Sequence, residues 1–285
     1  MRNLIAILFA LIPISAAALT SHYADPNLPS RPTIGVSLCG GGALGYAHMG
    51  MLQAMEEAGM KPSVVVGTSM GAIMGMMYCA GYSPQEILAI VKKEHMDRIL
   101  TIAKPSLRFD GLISTRPIQE VLLKYVPHNS FDSLNMPFYC CVADISALLP
   151  RYCHQGGYLV QSVMASAAIP GIFSPVPLFG GYCVDGSVFD QMPIKPLQQH
   201  SCDITVASLL RVEKPRTDLN TNFVWLHAIS AACFHSVETT QPQFTYVIEM
   251  DFGKYWMLDF DKVDELYQIG YQTTKAYLAE VKSER

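Results

Sequence analysis

At 285 residues the chain is long enough to bury a sizeable α/β core, and no repeat or low-complexity tract divides it. Apolar residues make up 50% and charged ones only 15%, below the usual ~25%, which points to a large core or to an apolar surface that meets lipid. With a net charge of −4 and no basic run longer than Lys92-Lys93, the composition supports neither nucleic-acid binding nor electrostatic attachment to anionic membranes.

In chain order, Arg2, the apolar stretch 4–14 and Ala16-Ala17-Ala18 have the pattern of a signal peptide over 1–18, which predicts an exported protein (periplasmic, outer-membrane-associated or secreted). Pro13 interrupts the stretch, which is too short for a convincing membrane span; a retained N-terminal helix is the alternative. A short linker, 19–32, leads into a single domain over 33–285. That domain opens with an apolar strand over 33–39, the cluster Gly40-Gly41-Gly42-Ala43-Leu44-Gly45, and a helix over about 45–58 with Met49, Leu52 and Met55 on one face. A second strand, 63–66, runs into Gly67-Thr68-Ser69-Met70-Gly71 and a helix over 70–80. This is a βαβ unit, whose right-handed crossover makes the strands parallel and brings both glycine loops to one carboxyl edge.

Gly67-Thr68-Ser69-Met70-Gly71 fits a nucleophile elbow, a serine held on a tight strand-to-helix turn. Glycine amides beside Ser69 would stabilise the oxyanion that forms when the serine attacks an acyl carbonyl. Gly40, Gly42 and Gly45 also match dinucleotide-binding spacing, but such a site leaves the serine elbow unexplained.

Further along, Ser83-Pro84-Gln85-Glu86 is a capping box opening a helix with Ile87, Leu88 and Val91 and, beyond His95, Ile99 and Leu100. It reads as a packed surface helix or as a lid over an acyl cleft. Phe138 begins a central strand with Asp144 near its end, and Ile172, Phe173, Val176, Leu178 and Phe179 wall an acyl groove or fill the core. A strand over 202–210 and helices over 221–240 and 261–282 complete the chain. Cys39, Cys140, Cys141 and Cys183 fall on strands where a small apolar residue suffices. With no Cys-x-x-Cys pair, the eight cysteines read mostly as buried thiols rather than a zinc site.

A serine nucleophile needs a base. His200, His227 and His235 come late enough to complete a triad, but all three fall on probable helices; His48 reads as a capping or packing residue. Asp185 ends a short apolar strand and precedes a glycine, so its carboxylate can face a cleft, although Asp-Gly is also an ordinary turn pair. Asp144 is its rival.

The glycine cluster, the elbow and Asp185-Gly186, in that order, resemble the patatin-like phospholipase family. So do Gly45-Tyr46-Ala47-His48-Met49-Gly50-Met51-Leu52 and the block Ala165-Ser166-Ala167-Ala168-Ile169-Pro170-Gly171-Ile172-Phe173-Ser174-Pro175-Val176; the likeness spans about 33–208. It implies a three-layer α/β/α fold with a central, mostly parallel sheet. It implies Ser69 as nucleophile, Asp185 as general base, and Gly40, Gly41 and Gly42 as the oxyanion hole. The implied activity is hydrolysis of phospholipid or other acyl-ester lipid, with transient membrane-surface contact and no metal or cofactor. Leu44 departs from the Arg or Lys of many members, which leaves head-group preference open, and Ser187 from their Gly or Ala, though it is small enough to allow the turn. A histidine-triad esterase and a non-catalytic lipid-binding protein of the same fold are the alternative readings.

Overall fold

The computed structural model describes residues 32–96, 115–211 and 224–283. The expected leader, most of the linker, and Ile99 and Leu100 lie outside the described residues. The strands are β1 (Ile34–Leu38), β2 (Val64–Thr68), β3 (Phe138–Asp144), β4 (Leu149–Cys153), β5 (Val176–Leu178), β6 (Gly181–Asp185), β7 (Ile204–Arg211) and β8 (Tyr246–Asp251). The helices are α1 (Ala47–Glu57), α2 (Met70–Cys79), α3 (Pro84–Lys93), α4 (Arg116–Tyr125), α5 (Leu159–Ser166), α6 (Lys195–Gln199), α7 (Val224–Thr240) and α8 (Val263–Ser283).

β1 and β2 are buried along their whole length, as continuous apolar runs in a parallel sheet require. One sheet forms in the order β5-β6-β3-β2-β1-β7-β8, with β4 on β3. The run from β3 to β8 is parallel throughout, while β4, β5 and β6 are antiparallel to their neighbours. Helices cover both faces. A Cβ at Gly75 of α2 would touch Phe138, Val65 and Leu38, and one at Gly35 would meet Leu197 of α6. Residues 35 and 38 point to opposite faces of β1, so α2 and α6 lie on opposite sides. This is the three-layer α/β/α arrangement expected from the resemblance.

The placement of β6 decides the geometry of the site. β4 pairs with residues 140–144 of β3, β2 with 138–141 and β6 with 142–144. A strand has two edges, and both β2 and β6 overlap β4 along β3. β2 and β6 therefore share the other edge, end to end. β2 is parallel to β3 and β6 antiparallel, so they meet at their carboxyl ends. The residue after Thr68 thus confronts the last residue of β6, Asp185.

Among the described residues, no helix is long and apolar enough to cross a membrane. All eight cysteines are free thiols, six of them buried. The capping box of α3 forms as expected, with Ser83 Oγ accepting from Glu86 N at 3.3 Å and Glu86 accepting from Ser83 N at 2.8 Å. Ile87 and Val91 of α3 are buried in the core against α1 and α2, so α3 packs as a surface helix.

Candidate active site

β2 enters the elbow and α2 leaves it, with Ser69 between them at φ 54, ψ −123. A non-glycine residue in this region is strained, and the strain lifts the hydroxyl out of the turn. Gly71 follows because a Cβ there would lie 2.1 Å from the Leu38 carbonyl oxygen. Ser166, at the end of α5, fixes the elbow. Its hydroxyl accepts from the Ser69 amide at 2.8 Å and donates to the Cys141 carbonyl at 2.5 Å. This part of Ser166 is not read from the sequence block that contains it. The signal in the sequence is a lone hydroxyl among Ala165, Ala167 and Ala168.

Ser69 Oγ donates to Asp185 Oδ2 at 2.6 Å, across 116 positions of sequence. The other carboxylate oxygen, Oδ1, accepts from Ser187 N at 2.9 Å, so Asp185 also begins the turn that its Asp-Gly pair suggested. Burial pushes the Asp185 carboxyl up to about 6, while the bonds from Ser69 and Ser187 pull it part of the way back.

The first glycine loop lies beside this pair. A Cβ at Gly40 would sit 3.2 Å from Ser69 Cβ and 2.3 Å from Ser187 Oγ, so only glycine fits. Gln191 grips the loop: its Nε2 donates to the Gly40 carbonyl at 2.8 Å, and its own carbonyl accepts a long 3.4 Å bond from Gly40 N. The Ala43 amide is engaged with the Met257 carbonyl at 2.8 Å. Among the described residues, the Gly41 and Gly42 amides donate to no protein acceptor, which leaves them available to an oxyanion.

His48 is fully buried in α1 and braces the same loop. Nε2 donates to the Cys39 carbonyl at 2.9 Å, which fixes the tautomer, so Nδ1 accepts from Ser208 Oγ at 2.8 Å. Burial lowers its pKa to about 4, which keeps the ring neutral. Asp144, the rival carboxylate, is committed elsewhere. It accepts from Arg151 Nε at 2.6 Å and from the amides of Ser146 and Ala147, and the Arg151 bond holds its carboxyl below the usual range. His200 closes α6, with its Nε2 2.9 Å from the Tyr139 hydroxyl, and makes no bond to Ser69 or Asp185. His227 and His235 lie on α7, but their side chains fall outside the described residues.

Ile172 and Phe173 are core residues, not groove walls. A cleft of about 970 Å³ does open nearby, lined by Leu149, Tyr152, Leu178, Phe179 and Tyr182 among others, but neither Ser69 nor Asp185 reaches it. No cluster of metal-ligating side chains occurs among the described residues.

A family model described as patatin-like phospholipase matches residues 36–197, which takes in the glycine loop, the elbow and Asp185. The chain belongs to the patatin-like phospholipase family. An uncharacterised NTE family protein of Mycobacterium tuberculosis is 30% identical over 202 residues, covering 70% of this chain and 56% of the relative. The lysophospholipase nte1 of Aspergillus fumigatus is 26% identical over 288 residues, covering 88% of this chain but 18% of that much longer protein. The chain thus spans about half the length of the mycobacterial relatives it matches. VipD from Legionella pneumophila shares the fold at 15% identity, with a TM-score of 0.51 over 90% of this chain and 67% of VipD. Within this patatin-like frame Leu44, where many members carry a cation, is fully buried and belongs to the core.

Proposed function

We propose that the protein is a serine-dependent lipid acyl hydrolase of the phospholipase A, lysophospholipase or esterase type, working through a Ser69–Asp185 dyad. The observation that carries this reading is the 2.6 Å bond from Ser69 Oγ to a buried carboxylate, made with no histidine between them. Ser69 Oγ attacks the ester carbonyl carbon as its proton passes to Asp185 Oδ2. The carbonyl oxygen becomes an oxyanion held by amides of the Gly40-Gly41-Gly42 loop. Collapse of this intermediate breaks the ester C–O bond, and Asp185 returns the proton to the departing alcohol. Water then attacks the acyl-enzyme, giving its proton to Asp185, and the fatty acid leaves as Ser69 regains its hydrogen. A carboxylate near 6 suits both halves of the cycle, being ionised at neutral pH yet basic enough to accept a proton.

The test is release of fatty acid from phospholipid, lysophospholipid and simple long-chain esters by wild type and Ser69→Ala. Wild type should turn over at least one of these classes, and Ser69→Ala should lose about 10³-fold or more. Lipid binding without turnover in the folded wild type would instead favour the non-catalytic reading. Loss of turnover on replacing His200, His227 or His235 would favour a triad.

A further inference from the structure

Six large hydrophobic side chains stand exposed among the described residues, and five lie on or directly beside two turns. Ile145 and Leu148 lie on the β3–β4 turn with Leu149 opening β4, and Phe179 lies on the β5–β6 turn with Tyr182 just beyond it in β6. Single exposed leucines need no explanation, but a cluster does. Both turns stand at the carboxyl edge that holds Ser69. β3 runs parallel to β2, and β6 begins four residues before Asp185, so the turns overhang the dyad by about 13 Å at ~3.3 Å per residue.

The turns form one fixed unit. Ile145 N donates to the Tyr182 carbonyl at 3.1 Å, Tyr182 N donates to Ser146 Oγ at 3.0 Å, and the Arg151 guanidinium lies 4.8 Å from the Phe179 ring centre. Each turn also holds a bulky apolar residue in a strained conformation: Leu148 has φ 57 and Phe179 φ 55. Glycine or asparagine would hold those left-handed positions at lower cost. Leu148 and Phe179 are 76% and 54% exposed despite this strain, and beyond the Arg151–Phe179 contact no packing of the fold accounts for placing bulky apolar side chains there.

Charge narrows the occupant. Residues 145–150 and 176–184 contain no charged side chain, and the adjacent Arg151 is paired with Asp144 at 2.6 Å. Such a surface complements neither an anionic head-group layer nor a charged protein. It complements the hydrocarbon margin of a lipid surface, with Tyr182 suited to the polar boundary. We propose that the β3–β4 and β5–β6 turns are the surface by which the protein docks on a bilayer or micelle, so that the Ser69 edge faces lipid. The proposal rests on the lipid acyl hydrolase reading and names the contact that serves it.

The test uses the full chain carrying Ser69→Ala, which cannot consume the vesicle, with and without Leu148→Asn and Phe179→Asn. Asparagine tolerates the left-handed region, so the double change should not unfold the protein. Co-sedimentation with phosphatidylcholine vesicles should weaken at least about tenfold in the double variant, given two large apolar side chains removed from the contact. Binding of the parent should change little between about 0.1 M and about 0.5 M salt. In the Ser69 background, the double variant should keep its turnover of a soluble short-chain ester while losing turnover of vesicles. Vesicle binding that is unchanged by the double variant, or that collapses in salt, overturns the proposal. So does a dimer that the double variant dissolves without affecting vesicle binding, because the patch is then a contact between copies. If wild type cleaves no ester at all, the hydrolase reading fails, while the binding arm still reports on the surface.

Discussion

Asp185 carries opposing demands. Burial raises its carboxyl from 3.8 to about 6, and the bonds from Ser69 and Ser187 offset only part of that rise. In the proposed dyad Asp185 acts ionised, so kcat/KM should climb with pH through about 6 and then level off, and Asp185→Asn should abolish that limb along with most activity. The same shift has a stability consequence. Between pH 3.8 and about 6 the native state binds more protons than the unfolded state, so this group's contribution falls as pH rises and stays low at neutral pH. Asparagine cannot ionise and can still accept from Ser187. Asp185→Asn should therefore be more stable than wild type at neutral pH, by up to about 3 kcal/mol, with the difference vanishing near pH about 4. Urea unfolding at the two pH values checks this. A variant less stable at neutral pH would mean that the carboxylate is not held against its hydration preference.

At the scale of elements, the loop after β1 is held by residues that never touch the dyad. His48 from α1 holds the Cys39 carbonyl and is itself held by Ser208 of β7, while Gln191 grips Gly40. His48→Ala would remove the ring that bridges the Cys39 carbonyl and the Ser208 hydroxyl and leave a buried cavity in its place. It should cost about 2–5 kcal/mol and lower kcat as the glycine amides lose their aim. His48→Gln, whose amide can still donate to Cys39, should recover part of both; unfolding midpoints and kcat measured together would show it. Sequence legibility followed the same division. β1, β2, α1 and α2 were readable because long apolar runs and glycine punctuation are local signals. β4 and β5 were not, because β4 is half-exposed and mixed in character and β5 is three residues long, so tertiary pairing alone makes them strands. The partners of His48 lie on other elements, so its position in the chain suggested only a capping or packing residue.

Across the whole molecule, the site depends on one topological fact, that β6 continues the edge of β3 where β2 ends. Ser69 and Asp185 were legible as motif residues from their glycine contexts and from the family resemblance. Their meeting carboxyl end to carboxyl end was not, because pairing register over 116 positions leaves no local trace. The low charge content also finds its place: most of the apolar excess fills the core, and part of the remainder is displayed on the two turns above the site. Covalent labelling by a long-chain fluorophosphonate, located by mass spectrometry, tests the proposed Ser–Asp dyad. A direct dyad gives label on Ser69 in wild type, none there in Ser69→Ala, much slower labelling in Asp185→Asn, and undiminished labelling when His200, His227 or His235 is replaced. A folded wild type that takes no label at Ser69, or a histidine variant that loses it, would contradict the dyad.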